Sequence, residues 1–447
     1  MIRRPLDLTL FAALLVVLGF GCNTGTGRRN FGPGSTAPAQ SGGGGGGGGG
    51  GVGTVGSFSA AGAMSLSRAL HTATVLTNGN VLVTGGEDSN GYHATSELYD
   101  PVADVWARVD QIAPTQSAGL MIDPASGRAT ARSRHSATLL PNGSVLIVGG
   151  FGAERFTPTG PVIEALGNTY LFNPTTNTFT PTVGPNLMTN RHSHLAVLVG
   201  TGKVMVTAGF NNSGPTPLSG GANQIGSTVT SSEVYDIATG LWSNGGNSNG
   251  THTTGAAGLA GGTTYVVGGA NVGFTDQGGF VVGAAAFSAP RVETFDFNTG
   301  NFAAGPSNAD DRAQPAYVVT SNGNLFLAGG RDANLAILNT TEFLDAGNGA
   351  WTNGPTLASG RAGAEAAEIG TTSDVLITGG FDATTGAVLR QCEVYGVLNN
   401  AMIGTVDMSL PRVMHRAVTL NDGRILIVGG QDGTGGTYYT QCEIHSR

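Results

Sequence analysis

The sequence predicts an all-β fold, a single seven-bladed β-propeller with four antiparallel strands per blade. Three observations lead there. A segment read as RVMHRAVTLNDGRILIVGG at Arg412–Gly430 recurs as RALHTATVLTNGNVLVTGG at Arg68–Gly86 and as RSRHSATLLPNGSVLIVGG at Arg132–Gly150, and looser copies end at Gly209, Gly269, Gly330 and Gly380. Seven copies of one short unit call for a repeat architecture, because no single unit buries its own apolar face. Each copy carries the signals of four strands. The two ends of the array are also complementary, since one strand signal precedes the first copy and the last copy lacks one.

Within a copy, two apolar runs rich in Val, Leu, Ile and Thr flank a break such as Thr77-Asn78-Gly79, Pro141-Asn142-Gly143 or Asn421-Asp422-Gly423. Asn-Gly and Asp-Gly supply the positive φ angles of a tight hairpin, so the runs are the first and second strands. The double glycine ends the second strand where the backbone needs an unusual turn. An acidic and aromatic element follows as the third strand: SELYD at Ser96–Asp100, SEVYD at Ser232–Asp236, VETFD at Val292–Asp296, TEFLD at Thr341–Asp345 and CEVYG at Cys392–Gly396. The fourth strand is marked by an aromatic nine residues after the Glu, as in Glu97 to Trp106, Glu233 to Trp242, Glu293 to Phe302 and Glu342 to Trp351. Copy two keeps that spacing with Tyr170 and Phe179, and copy six places Met402 there. Four short antiparallel strands, repeated, make the blade of a propeller.

The double glycine, the Tyr that follows a Glu, the spaced Trp and the Arg that opens each unit resemble kelch repeats over residues 55–447. That resemblance implies the propeller fold. Copy four departs most, with Asn249 read in place of the Arg and Leu259-Ala260-Gly261-Gly262 in place of the usual turn.

In chain order, residues 1–22 read as an export signal: Arg3 and Arg4 give the charged start, Leu8–Phe20 the apolar stretch, and Gly21-Cys22 the cleavage point. A small residue before Cys resembles a bacterial lipobox, which implies a lipid on Cys22 and a membrane-anchored lipoprotein of the cell envelope, at the outer membrane or cell surface. Gly19 stands where that motif usually has Leu, so simple cleavage and secretion form the competing reading. Residues 23–54, with ten consecutive glycines from Gly42 to Gly51, have nothing to bury and form a flexible tether. Residues 55–447 form one domain. Phe58 precedes Arg68 by ten residues, the interval of Phe302 to Arg312 and Trp351 to Arg361, so it occupies a fourth-strand position with no blade before it. The N-terminal strand is therefore expected to complete the last blade and remove an open sheet edge.

The composition suits an exported all-β chain, with 75 glycines and 11% charged residues. A formal net charge of −8 argues against nucleic acid as a partner.

The repeats differ in one informative way. Insertions at Phe151–Asn168, Phe210–Ser231 and Ala270–Arg291 fall between second and third strands, and another at Ala107–Thr130 falls between blades one and two. All are expected on one face, giving blades one to four a loop-built wall on a rigid ring, the usual arrangement of a binding surface. Arg155, Phe156, Phe274, Asp276, Phe280 and Phe287 are the candidate ligand-binding side chains.

Other repeated residues read as structural. His71, His135, His194, His252 and His415 share one repeat position; converging imidazoles build zinc or copper sites, but equivalent residues of a repeat serve the repeat as hydrogen-bonding partners. The repeated Arg (68, 132, 191, 312, 361, 412) and Glu (97, 233, 293, 342, 393, 443) are expected to pair with one another. Asp88, Asp332, Asp382 and Asp432 offer oxygen ligands for calcium, yet Asp before Gly, Asn or Thr is first a turn former. Cys392 and Cys442 occupy equivalent third-strand positions in neighbouring blades, too divergent for a disulfide, and read as free buried thiols.

These features point to a monomeric, non-catalytic interaction module without a cofactor, binding a protein or carbohydrate. The competing enzyme reading is a copper radical oxidoreductase, because Leu140–Gly150 also resembles the repeats of galactose oxidase and its relatives. That family implies a Tyr-His pair, a second His, a further Tyr and a Cys crosslinked to it; here only the Tyr92-His93 dipeptide is legible. A structural part in an envelope assembly is the third reading.

Overall fold

The tight-turn signals and apolar runs fold as their residue types dictate. The computed structural model describes residues 54–157, 160–200, 202–211, 227–269, 274–275, 281–282, 292–308, 310–334, 336–370, 372–382, 385–433 and 436–447. The chain is all-β, and the described residues form seven four-stranded antiparallel sheets, called sheets I to VII in chain order. Sheet I is typical, with strands Thr72–Val75, Val81–Thr84, Ser96–Asp100 and Val105–Arg108 paired in sequence order. The first strands of sheets II to VII are Ser136–Leu139, Leu195–Val199, Ala256–Ala260, Ala316–Val319, Glu365–Glu368 and Arg416–Thr419. Among the described residues no helix is long and apolar enough to cross a membrane.

Second strands such as Val81–Thr84, Val145–Val148, Leu325–Ala328 and Ile425–Val428 are buried at every position, because both faces of each sheet are covered. Val81 and Val83 pack with Leu426 and Val428 of sheet VII, while Leu82 between them packs with Val145 and Ile147 of sheet II. The same division recurs along the chain, so one apolar cluster lies between every two consecutive sheets and a seventh joins sheet VII to sheet I. First strands of consecutive sheets touch, and Arg416–Thr419 of sheet VII touches Thr72–Val75 of sheet I.

The fourth strand of sheet VII is Ser57–Ala61, paired antiparallel with Cys442–Ser446. Its register places Phe58 opposite His445 at 5.1 Å between ring centroids. Fourth-strand aromatics take the same place elsewhere: Trp106 lies opposite Tyr99, Phe179 opposite Phe172, Trp242 opposite Tyr235 and Phe302 opposite Phe295. Ring spacings of 4.9 to 5.2 Å explain why a ring recurs at that spacing in the sequence.

Two insertions differ from a plain loop wall. Ala107–Thr130 contains the helix Val109–Ile112 and sends Val109 and Met121, both 0% exposed, into the cluster between sheets I and II. Its apolar residues make it a plug in the core rather than part of a free wall. The insertion after sheet II's second strand is a hairpin, Phe151–Thr157 with Gly160–Ala165, and Ala131–Ser133 pairs with it as a third strand.

Candidate functional site

The end of each sheet where the first strand begins is built by the repeated Arg, Glu and double glycine. Arg68 donates from Nη1 to the Gly85 carbonyl at 2.7 Å and lies with Nη2 at 3.2 Å from Glu97 Oε1; both side chains are buried. Arg191–Glu233, Arg312–Glu342, Arg361–Glu393 and Arg412–Glu443 form the same pair. Each Glu also accepts backbone N–H groups from the connection entering its sheet, as Glu97 does from Ser65 at 2.7 Å. The expected Arg–Glu pairing therefore holds, and it is structural. In sheet II, where Tyr170 stands at the Glu position, Arg132 instead lies over the Tyr170 ring at 5.0 Å and donates to Asn168 Oδ1 at 2.6 Å.

The glycines are required by the neighbouring sheet. Gly85 and Gly86 have φ of 61° and 96°, and a Cβ on Gly85 would meet the Arg132 carbonyl oxygen at 2.4 Å. Gly86 N–H donates to that carbonyl at 2.8 Å, and six junctions share this bond, including Gly430 N–H to the Arg68 carbonyl between sheets VII and I.

The structure corrects the placement of His252. The residue two after each Arg has positive φ, in Leu70, Arg134, Ser193, Gln314, Gly363 and Met414, and the equivalent residue of sheet IV is Thr254. His252 thus stands at the Arg position, with Gly255 at the His position. It contacts the Gly268 carbonyl through Nδ1 at 2.6 Å and Glu293 Oε2 through Nε2 at 2.7 Å. Asn249, expected in place of the Arg, supports it by donating from Nδ2 to Glu293 at 2.7 Å.

Three of the other four histidines bond across the junctions. His135 Nε2 meets Thr72 Oγ1 of the preceding sheet at 2.9 Å, His194 meets Ser136 Oγ at 2.8 Å, and His415 meets Thr378 Oγ1 at 2.7 Å. His71 finds no such hydroxyl, because Arg416 and Val428 occupy those places in sheet VII, and its ring nitrogens have no hydrogen-bond partner. Burial first, then nearby arginines, hold these imidazoles below their usual range, His194 at about 3, so they are neutral.

A mixed cluster sits at this same end, where sheets VI, VII, I, II and III contribute side chains. The positive-φ residues bond from sheet to sheet, with Arg134 N–H to the Leu70 carbonyl at 3.0 Å and Leu70 N–H to Met414 at 3.1 Å. Buried Leu70 and Met414 pack under half-buried Tyr438 and Val388. Beside them the Arg134 guanidinium grips Glu87, at 2.8 and 3.2 Å, and lies 5.8 Å from the Phe151 ring. Tyr92 approaches Phe151 edge-on at 5.9 Å; burial, with Glu87 adding and Arg134 opposing, pushes its phenol up to about 12. Buried His192 lies between Phe151 and Phe210, with ring centroids at 4.8 and 5.5 Å and its plane tilted to both. Tyr92, Phe151, Arg134 and Glu87 are all half-buried, so aromatic rings and one internally neutralised charge pair are open to a ligand.

Of the candidate loop residues, Arg155 and Phe156 belong to the backbone of the sheet II hairpin and Phe274 to the short strand Phe274–Thr275. Asp276, Phe280 and Phe287, and the lipidation candidate Cys22, lie outside the described residues. The cluster residues other than Tyr92 escape sequence reasoning because they come from separate repeats. The signal for Glu87 and Phe151 is the residue after the double glycine, which varies as Glu87, Phe151, Phe210, Arg331, Phe381 and Gln431 while the pair before it is Gly-Gly in each case but Ala208-Gly209.

The remaining candidates resolve as turn formers and core. Asp88, Asp332, Asp382 and Asp432 accept turn N–H groups through Oδ1 from Asn90, Asn334, Thr385 and Thr437. Cys392 and Cys442 are free buried thiols, pushed up to about 12 by burial. A copper centre needs Tyr, His and Cys gathered together. His93 Nε2 instead lies 3.0 Å from the Ser67 carbonyl, and both thiols belong to inter-sheet clusters, so the described donor residues do not fit that metal. Neither protein-family models nor curated proteins give a match to this chain.

Proposed function

We propose that residues 55–447 form a closed seven-bladed propeller of the kelch type, and that the chain is a non-catalytic binding module displayed at the cell envelope. The cyclic contact of first strands, the seven inter-sheet clusters and the Ser57–Ala61 pairing support the closed ring. An export signal, lipidation at Cys22 and the Gly-rich tether are the sequence basis for envelope display. The ligand, a protein or glycan, engages the end where the insertions leave sheets II, III and IV. The observation that carries this reading is the half-buried set Tyr92, Phe151 and Tyr438 around the Arg134–Glu87 pair. Aromatic rings with a satisfied polar pair supply recognition, and nothing in the set supplies a nucleophile or an acid–base couple.

The test is an array of neutral and acidic oligosaccharides together with envelope proteins, probed with the wild type and with Tyr92→Ala and Phe151→Ala. Each substitution is expected to weaken binding by about 30-fold, the loss of roughly 2 kcal/mol typical of a central aromatic, with the unfolding midpoint little changed. Undiminished binding by both variants, or stoichiometric copper with alcohol oxidation, would overturn the reading.

A further inference from the structure

Six repeats open their first strand with a buried arginine, and sheet IV opens it with His252. We propose that this substitution makes the connection into sheet IV a pH-responsive seam, closed while His252 is an imidazolium and loosened when the ring loses a proton.

The geometry sets the protonation state. Gly268 O and Glu293 Oε2 both accept, and they face opposite ring nitrogens at 2.6 and 2.7 Å. A neutral imidazole donates from one nitrogen only, so both contacts are hydrogen bonds only in the doubly protonated ring. An arginine makes the same two contacts elsewhere, as Arg412 does with the Gly429 carbonyl at 2.6 Å and Glu443 at 2.9 Å. Guanidinium keeps its charge at every accessible pH, whereas imidazolium is the side chain that releases a proton near neutrality.

His252 and Glu293 are 1% and 0% exposed, so deprotonation leaves an acceptor facing an acceptor with no water to intervene. Burial works against the Glu293 carboxylate, yet hydrogen bonds from His252, Asn249 and Gly250 hold it below its usual range. The neighbouring charges are committed elsewhere: Arg312 of sheet V to Glu342 and Asp310, and Arg191 of sheet III to Glu233. Sheet IV also enters through the one junction where the bond from the second glycine to the next arginine is replaced, by Thr253 Oγ1 donating to the Gly209 carbonyl at 3.1 Å. Both hydrogen bonds are made while the ring is doubly protonated and one is lost when it is not, so the seam loosens towards the basic side.

Hydrogen exchange on the full chain provides the test with an internal control. Glu293 accepts from the amides of Asn249 and Gly250, and Glu97 accepts from those of Ser65 and Leu66 beside non-titrating Arg68. Protection of the sheet IV amides relative to the sheet I amides, corrected for intrinsic rates, is expected to fall about tenfold or more between about pH 6 and about pH 9. His252→Arg restores the residue of the other repeats and should abolish that fall. A pH-independent ratio in the wild type, or an equal fall in His252→Arg, would overturn the proposal. Because neither readout involves a ligand, failure of the binding reading leaves this result unaffected.

Discussion

Deleting residues 55–61 is expected to destabilise the fold by about 4 kcal/mol or more and to make the protein associate. The strand brings Phe58 against His445, and Val55 just before it packs against the cluster between sheets VI and VII. Two partly buried apolar side chains at roughly 1.5–3 kcal/mol each when fully covered, with ladder hydrogen bonds at about 1 kcal/mol each, account for that loss. The deletion also exposes Cys442–Ser446 as an unpaired edge, which templates pairing with another chain. Denaturant unfolding should therefore shift to lower midpoint, and light scattering should rise with protein concentration. An unchanged midpoint would mean that the strand is an ornament on an otherwise complete fold.

The second large effect lies in the buried ion pairs. Glu443→Ala leaves the Arg412 guanidinium at 0% exposure without its carboxylate, and also strips the Ser409 N–H of its acceptor at 2.7 Å. The expected cost is about 3–5 kcal/mol, the usual penalty for an uncompensated buried charge. Replacing both partners, as Arg412→Met with Glu443→Leu, should cost less than the single change, because no charge is then stranded. Equilibrium unfolding of the two variants checks this. A double variant less stable than Glu443→Ala would show that the side chains act through their backbone contacts, such as Arg412 to the Gly429 carbonyl, more than through charge.

Much of the fold was legible because each repeat encodes the same local physics. The spacing from Phe58 to Arg68 placed Phe58 on a fourth strand that completes the last repeat, and the structure pairs that strand with Cys442–Ser446; the partner ring, His445, was not legible because the other repeats carry Tyr, Phe or Leu there. The Arg–Glu pairing was legible from the recurrence of both. His252 was misplaced because alignment by residue type favours His over Arg, whereas the backbone fixes the register through the positive φ of Thr254. No residue preference announces that conformation in Leu70 or Met414; it is imposed by bonds from sheet to sheet. Ala107–Thr130 looked like a loop because Val109 stands apart from the short run Leu120-Met121-Ile122 and neither carries a strand pattern; only the gap between sheets I and II shows what Val109 and Met121 fill. The Tyr92, Phe151, Arg134 and Glu87 cluster joins two repeats, so no single repeat contains it.

Closure by the N-terminal strand is the central claim, and a disulfide trap tests it most directly. Ser57 and Ser446 are paired directly across the two strands, whereas Ser59 is paired with Ile444. Cysteines placed directly opposite fall within bridging distance, and diagonal ones largely do not. The Ser57→Cys, Ser446→Cys variant should oxidise to an intramolecular bridge, detected by peptide mass spectrometry, and unfold at higher denaturant than its reduced form. The Ser59→Cys, Ser446→Cys variant should bridge poorly. Equal bridging in both, or in neither, would contradict the closing strand and with it the closed ring.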